Sequence, residues 1–460
     1  MLSKYRAELK RLFALAVPLA AAQAGTQMMS VVDIAVLGRV GGLELAASGL
    51  GNAVFFAISI FGIGVCMGVD PLISQAIGAG DHVRARAVMW QGVWLASIIS
   101  GVMTIPLVIS PLLFPIIGVQ RELIEPATTY LLIRIAGLLP WYLFMIARAY
   151  LQAHHVTRPL LVAMIVANVF NLGADILLVF GGGILPEWCG PLRAIPAMGV
   201  AGAALATVAG QILQLAIVVL AIRKIRLPDA VRVSRRWNGP EVARAFQVGW
   251  PVASQMTAEV GVFALVALLA GRLGTLDLAA HQLVISLASF TFTIALGVAA
   301  AGSVRVGLAV GARNAEATRI AGHAAFMGGV VVMSSAALLF ITMPRILARV
   351  ITDVPAVINA AVPLFFVAAI FQISDGIQAV GSGVLRGAAD TRYPFVVNLI
   401  GHWLIGFPIA MFLGFKTRLG VVGLWWGLCA GLTAVAVLLV RRFLKLSSRP
   451  FRRLQVADEE

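Results

Sequence analysis

The chain has 460 residues, 60% of them apolar and only 12% charged, with a net charge of +15. A soluble protein carries about 25% charged residues, so this chain cannot coat a globule of its size with polar surface. A soluble enzyme, a disordered scaffold and a secreted disulfide domain are excluded. Residues 12–37 hold one ionisable side chain, Asp33, and residues 242–270 hold two, Arg244 and Glu259. A bilayer core about 30 Å thick needs about 20 helical residues, so the sequence describes an all-α integral membrane protein. No basic cluster interleaved with aromatics asks for nucleic acid as a partner. Cys66, Cys189 and Cys429 lie far apart, without metal-type spacing or a disulfide framework.

Taken in chain order, apolar runs separated by polar or Gly/Pro punctuation predict twelve spans. They cover residues 12–37, 47–76, 87–113, 126–152, 159–181, 197–222, 242–270, 281–309, 319–342, 357–385, 393–414 and 420–443. Lys4, Arg6, Lys10 and Arg11 ahead of the first run mimic a signal peptide. The run is too long for one and lacks an obvious cleavage site, so it reads as a retained membrane helix. Of the 35 Lys and Arg, 24 fall in the termini and the loops on the same side as the N-terminus, and eight fall on the opposite side. That bias predicts both termini in the cytoplasm.

The sequence is duplicated. Residues 37–47, LGRVGGLELAA, recur as residues 270–280, AGRLGTLDLAA. At the same offset Pro18 matches Pro251, Gly64-Val65 matches Gly297-Val298, and Gly78-Ala79 matches Gly311-Ala312. Six spans per repeat give both repeats the same orientation, related by an axis along the membrane normal. The expected organisation is therefore an N-terminal six-helix lobe at 1–225, a basic cytoplasmic linker at 226–240 and a C-terminal six-helix lobe at 241–460. Two similar lobes joined by one linker favour alternating access, with substrate held between them.

A carboxylate deep in a membrane is costly and marks a functional candidate. Four qualify: Asp33 in the first span, Asp175 in the fifth, Glu259 in the seventh and Asp375 in the tenth. Asp33 and Asp175 each lie five or six residues before the outer end of an outward-running helix, about 8–9 Å deep. Asn168, Asn171 and Asp175 share one helical face, and Thr207 in the sixth span reaches the same outer half. This set suits an oxygen cage for Na⁺, a proton-sharing pair, or a packing network. Glu259 and Asp375 have no Lys or Arg nearby in sequence. They suit a proton carrier or an anionic contact for a cationic substrate, with Ser374 and Gln378 flanking Asp375 and Gln282 a further polar cavity candidate.

Other signals are weaker. Asp70-Pro71 near the cytoplasmic end of the second span fits snorkelling or a kink as well as a function. His154-His155 reads as a solvated loop, His281 as interfacial, and Pro18 and Pro251 as equivalent kinks. No phosphate-binding G-x-x-x-x-G-K-[ST] loop, nucleophile elbow or H-E-x-x-H motif is present. No cofactor and no enzymatic activity are expected, and transport energy must come from an ion gradient.

At these residues the sequence resembles the multidrug and toxic compound extrusion family, MATE, and most closely its bacterial NorM-like members. The resemblance rests on residues 32–38 (VDIAVLG), on residues 278–282 (LAAHQ) and on Glu259. It rests most specifically on residues 371–378 (FQISDGIQ), continuing to Leu385-Arg386-Gly387. It implies two six-helix lobes forming a V, and efflux of amphipathic cationic drugs and dyes in exchange for Na⁺ or H⁺. In NorM-like members the coupling ion is associated with C-terminal-lobe carboxylates, matching Glu259 and Asp375. In the DinF-like branch an N-terminal-lobe set is invoked, matching Asp33, Asn171, Asp175 and Thr207. Phe371 stands where the NorM pattern has a Tyr, so it offers no oxygen to Na⁺ in the second repeat. H⁺ is therefore favoured as the coupling ion, or the first-repeat set for any Na⁺.

The expected protein is an ion-coupled antiporter of a bacterial inner membrane, acting as a monomer among lipids. The alternative is a lipid-linked oligosaccharide flippase of the same superfamily. A flippase calls for basic cavity residues, and only Arg134, Arg148 and Arg305 lie within spans, against four carboxylates. A conducting channel ranks third.

Overall fold

The structure is a computed structural model and describes residues 2–184, 186–225 and 233–448. Among them there is no strand. The first repeat holds α1 (Leu2–Leu37), α2 (Gly42–Cys66), α3 (Val69–Gly78), α4 (His82–Ile109), α5 (Arg121–Ile135), α6 (Leu138–Ala153), α7 (Arg158–Phe180) and α8 (Val200–Lys224). The second holds α9 (Gly239–Leu273), α10 (Thr275–Gly311), α11 (Ala315–Thr342), α12 (Pro344–Arg349), α13 (Pro355–Gly387), α14 (Arg392–Leu399), α15 (Phe407–Phe415) and α16 (Gly420–Ser447). A π-helical turn, Ile400–Gly406, joins α14 to α15.

Among the described residues, eleven helices are long and apolar enough to cross a membrane, and α5 with α6 makes a twelfth span bent by 43°. All twelve expected spans are present. The two interruptions have a common cause, because a proline lacks the N–H that would bond the carbonyl four residues back. Pro140 breaks the ladder at Ala136 between α5 and α6, and Pro71 breaks it at Met67 between α2 and α3. Many large apolar side chains point outward: Leu112, Val169, Leu268 and Leu404 are each about 70% exposed. Such a surface is stable against lipid and not against water. The fold is that of a multi-pass, all-α membrane protein.

Packing divides the chain into two units, and these do not coincide with the expected lobes 1–225 and 241–460. One unit comprises residues 1–23, 70–81 and 254–460, and the other residues 24–69 and 82–253. The start of α1 and α3 from Asp70 onward thus pack with the second repeat, and the start of α9 packs with the first. Pro18 and Pro251 each lie just before the point where their helix passes from one unit to the other. The cause is a pair of equivalent close approaches. A Cβ on Gly64 would lie 2.2 Å from the Ala253 Cα, and one on Gly297 would lie 2.7 Å from the Ala20 backbone nitrogen. Gly64 and Gly297 are equivalent in the duplication, as are Ala253 and Ala20, so the same backbone-to-backbone contact is made once in each unit.

In the first of these units, Glu8 on α1 accepts two 2.7 Å bonds from Arg305 on α10, through Nε and Nη2. Lys4 pairs with Glu316 at the surface, and Gln75 on α3 donates to the Gly387 carbonyl.

Of the expected linker, residues 226–232 lie outside the described residues, as do the basic Arg449, Arg452 and Arg453. Residues 233–238 run along α4. There Gln91 donates to the Arg236 carbonyl and Trp94 to the Arg235 carbonyl. Gln91 also accepts from the Asn238 backbone N–H.

Candidate functional site

The carboxylates singled out in the sequence form two buried clusters, one in each unit.

In the unit built mostly from the first repeat, α1, α7 and α8 bring together Asp33, Asn171, Asp175 and Thr207, all buried. Thr207 donates to Asp33 Oδ2 at 2.9 Å, and its hydroxyl also lies 3.0 Å from the Ala203 carbonyl. Asn171 sits between the carboxylates, its amide nitrogen 3.1 Å from Asp33 Oδ1 and 3.3 Å from Asp175 Oδ2. The opposite amide orientation would set an oxygen against two acceptors, so the donating orientation is the one the surroundings dictate. Asp33 and Asp175 are thus linked through the amide of Asn171. Asn168, one turn from Asn171, instead donates to the Met164 carbonyl.

Arg134 on α5 is buried close to this cluster. Its guanidinium stacks over Phe55 at 4.5 Å, and Tyr130 lies within electrostatic reach of Arg134, Asp33 and Asp175 together.

In the other unit the cluster spans α9, α13, α14 and the π turn. Asp375 on α13 is buried, and Glu259 on α9 is half-buried and within electrostatic reach of it. Neither is ion-paired with a Lys or Arg among the described residues. Gln378, one turn beyond Asp375, points its amide nitrogen at Asn398 Oδ1, 2.8 Å away, and at Glu259 Oε2, 3.4 Å away. Asn398 donates to the Pro394 carbonyl. His402 Nδ1 lies 3.0 Å from the Asn398 carbonyl, and Trp403 donates to the Ala258 carbonyl beside Glu259.

The π turn places His402 and Trp403 here because glycines allow it to approach α16 closely. A Cβ on Gly431 would meet the Gly401 carbonyl at 2.6 Å, and one on Gly401 would meet the Val435 side chain at 2.2 Å. The extra residue in the turn shifts the helical register, and the side chains after it face elsewhere than a regular helix would send them.

Two expected members stand apart. Ser374 is buried but hydrogen-bonds Thr433 on α16 at 2.8 Å. Gln282 is exposed on α10 and does not join the cluster. Phe371 is fully buried in an aromatic group, edge-on to Trp425 at 5.3 Å and to Phe263 at 6.1 Å. Trp425 in turn donates to His281 Nδ1, so His281 is a buried packing residue and not an interfacial one.

Asn398 and His402 were not singled out in the sequence. The signal was present, because an ionisable ring in the middle of the apolar run 393–414 meets the same test that selected the carboxylates.

The sequence profile of the MatE family matches residues 18–177 and again residues 251–412. A probable multidrug resistance protein NorM from Rhizobium meliloti (strain 1021) is 34% identical over 447 residues, 95% of this chain and 93% of its own length. The multidrug resistance protein MdtK of Klebsiella pneumoniae is 29% identical over 461 residues, 98% of each chain. Among solved structures, the eukaryotic MATE transporter AtDTX14 superposes with a TM-score of 0.84 at 21% identity, covering 96% of each chain. A MOP superfamily transporter from Pyrococcus furiosus superposes with a TM-score of 0.85 at 19% identity, covering 97% of each. These structures share the fold, and the two matched stretches are the two repeats read from the sequence. The chain belongs to the MatE family of membrane proteins.

Proposed function

We propose that this chain is a multidrug efflux antiporter, exporting amphipathic organic cations in exchange for protons across a bacterial inner membrane, with both termini in the cytoplasm. The observation that carries the reading is the pairing of Glu259 with Asp375, two carboxyl groups in a membrane-spanning unit with no Lys or Arg ion-paired to them among the described residues. Ionised, they attract a lipophilic cation; protonated, they release it. Exchange needs each ligand to bind one state of the protein better than the other. The NorM and MdtK relatives are named for multidrug resistance, and the buried acidic residues are the sign of charge that such substrates require.

Protons fit the contacts better than Na⁺. A Na⁺ cage in the first-repeat cluster would need oxygens turned inward, yet Asn171 and Thr207 both donate to Asp33. In the second-repeat cluster Phe371 offers only ring carbon. The chain works as a monomer, without a cofactor and without enzymatic chemistry.

The test is efflux of a fluorescent lipophilic cation from proteoliposomes, under a pH gradient and a Na⁺ gradient imposed separately. The pH gradient alone drives export, and Glu259→Gln with Asp375→Asn abolishes it in protein that still folds. Normal export by that double variant refutes the assignment, and export requiring Na⁺ refutes the choice of ion.

A further inference from the structure

The proton-exchange reading uses carboxyl groups, yet the second cluster also contains a buried base. His402 is 2% exposed, in the π turn between α14 and α15. Its Nδ1 lies 3.0 Å from the Asn398 carbonyl oxygen. A carbonyl can only accept, so Nδ1 carries the hydrogen and the neutral ring presents a lone pair on Nε2. That Nε2 is buried and meets no hydrogen-bond partner among the described residues. A buried acceptor left empty is disfavoured, so Nε2 is open to a donor, hydronium among them.

The surroundings suit one. Asn398, whose carbonyl fixes the tautomer, accepts from Gln378 through its side chain, and the same Gln378 amide points at Glu259. Glu259 on α9 is within electrostatic reach of the imidazole, and Asp375 on α13 is within reach of Glu259. The face of α16 against the π turn is built from Gly427, Gly431 and Val435. The titratable residue of that stretch is Cys429, a thiol. The charged groups facing His402 are therefore acidic.

We propose that His402 is a third proton-accepting site of the second-repeat cluster, so that organic-cation binding expels a proton from its Nε2 as well as from the carboxyl groups. The proton arrives from water: an O–H bond of hydronium breaks and an Nε2–H bond forms, leaving imidazolium and water. The Nδ1–H bond to Asn398 is kept in both states, so uptake requires no rearrangement of the turn. With Glu259 and Asp375 neutral and His402 charged, the cluster repels a cation instead of merely ceasing to attract it. The inference rests on the proton-exchange reading and adds to it a residue and a proton count.

The experiment measures the dissociation constant of rhodamine 6G by fluorescence polarisation, using the full-length protein in detergent without Na⁺, from about pH 5.5 to about pH 8.5. For the wild type, log Kd falls as pH rises. His402→Gln keeps a polar group of similar reach and cannot hold a charge. Its slope in the acid half of the range is smaller by about one per pH unit, so binding at about pH 5.5 is about tenfold tighter than in the wild type and equal at about pH 8.5. An unchanged slope in the variant overturns the role of His402 and leaves the carboxyl reading standing. A wild type that binds without pH dependence overturns both.

Should His402→Gln fail to fold, ¹⁵N-histidine spectra of the wild type supply the test. One of the six histidines is then an Nδ1–H tautomer that protonates in acid and reverts to neutral when rhodamine 6G is added. No histidine responding to the cation overturns the proposal.

Discussion

The Glu8–Arg305 pair tests whether α1 is held to the second repeat by charge or only by packing. Both oxygens of Glu8 accept from one guanidinium at 2.7 Å, and the side chains are 9% and 17% exposed. Removing one partner of a buried pair costs about 3–5 kcal/mol, mainly because the other charge stays buried alone. The two single variants should nevertheless differ. Without Arg305, Glu8 still has Arg11, 3.9 Å away on its own helix. Without Glu8, Arg305 has no second carboxylate in ion-pair range among the described residues. Glu8→Leu should therefore cost about 3 kcal/mol and Arg305→Leu about half of that. At about 2 °C per kcal/mol for a unit of this size, the melting temperatures fall by about 6 °C and about 3 °C. The double variant buries no orphan charge, so it should melt above Glu8→Leu alone. Thermal unfolding of purified protein in one detergent measures all three. Equal losses for the single variants, or a double variant at the sum of both, would falsify the argument that the orphaned guanidinium sets the cost.

Gly64→Ala should lower stability by about 1–3 kcal/mol, because its Cβ would lie 2.2 Å from the Ala253 Cα. Gly49→Ala on the same helix, where nothing lies within 4 Å, should be neutral or stabilising by up to about 1 kcal/mol; equal melting temperatures would contradict this. His154, just past the end of α6, is held down to about pKa 4 by burial first and then by the charges of His82, Arg86 and His155. Its folded state binds a proton less readily than the unfolded chain, so its contribution is complete above the ordinary histidine value and is lost as pH falls towards about 4. His154→Phe, which keeps the ring contacts with Tyr150 and His82, should flatten the fall in melting temperature over that interval. An identical pH profile would mean that His154 does not titrate with unfolding.

What the sequence disclosed follows from which forces leave a local trace. Spans are legible because a bilayer demands about 20 apolar residues in a row, and all twelve runs correspond to helices or to the bent pair. Asp33, Asn171, Asp175 and Thr207 are legible together from helical spacing and depth, and in the structure Thr207 and Asn171 bond Asp33 while Asn171 also reaches Asp175. Gln282 lies apart from the buried cluster, and because its helix is apolar all round, periodicity does not say which face is inward. The exchange of α1 and α9 was invisible for a related reason: each half of α1 is apolar, and nothing in the run from Leu12 to Leu37 names its neighbour. The π turn at Ile400–Gly406 left no pattern either, since its cause is a close approach between glycines on two distant segments.

The exchange also bears on the order of synthesis. Ala20 leaves the ribosome 277 residues before Gly297, the glycine it packs against. At about 5–20 residues per second, the first half of α1 waits on the order of 15–55 s for its neighbour, while its second half can already settle beside α7 and α8. The nascent chain must keep an apolar half-helix bearing Glu8, Lys10 and Arg11 from committing to a wrong surface throughout that time. The bilayer supplies that holding environment, and the carboxylate of Glu8 keeps its basic neighbour Arg11 until Arg305 emerges.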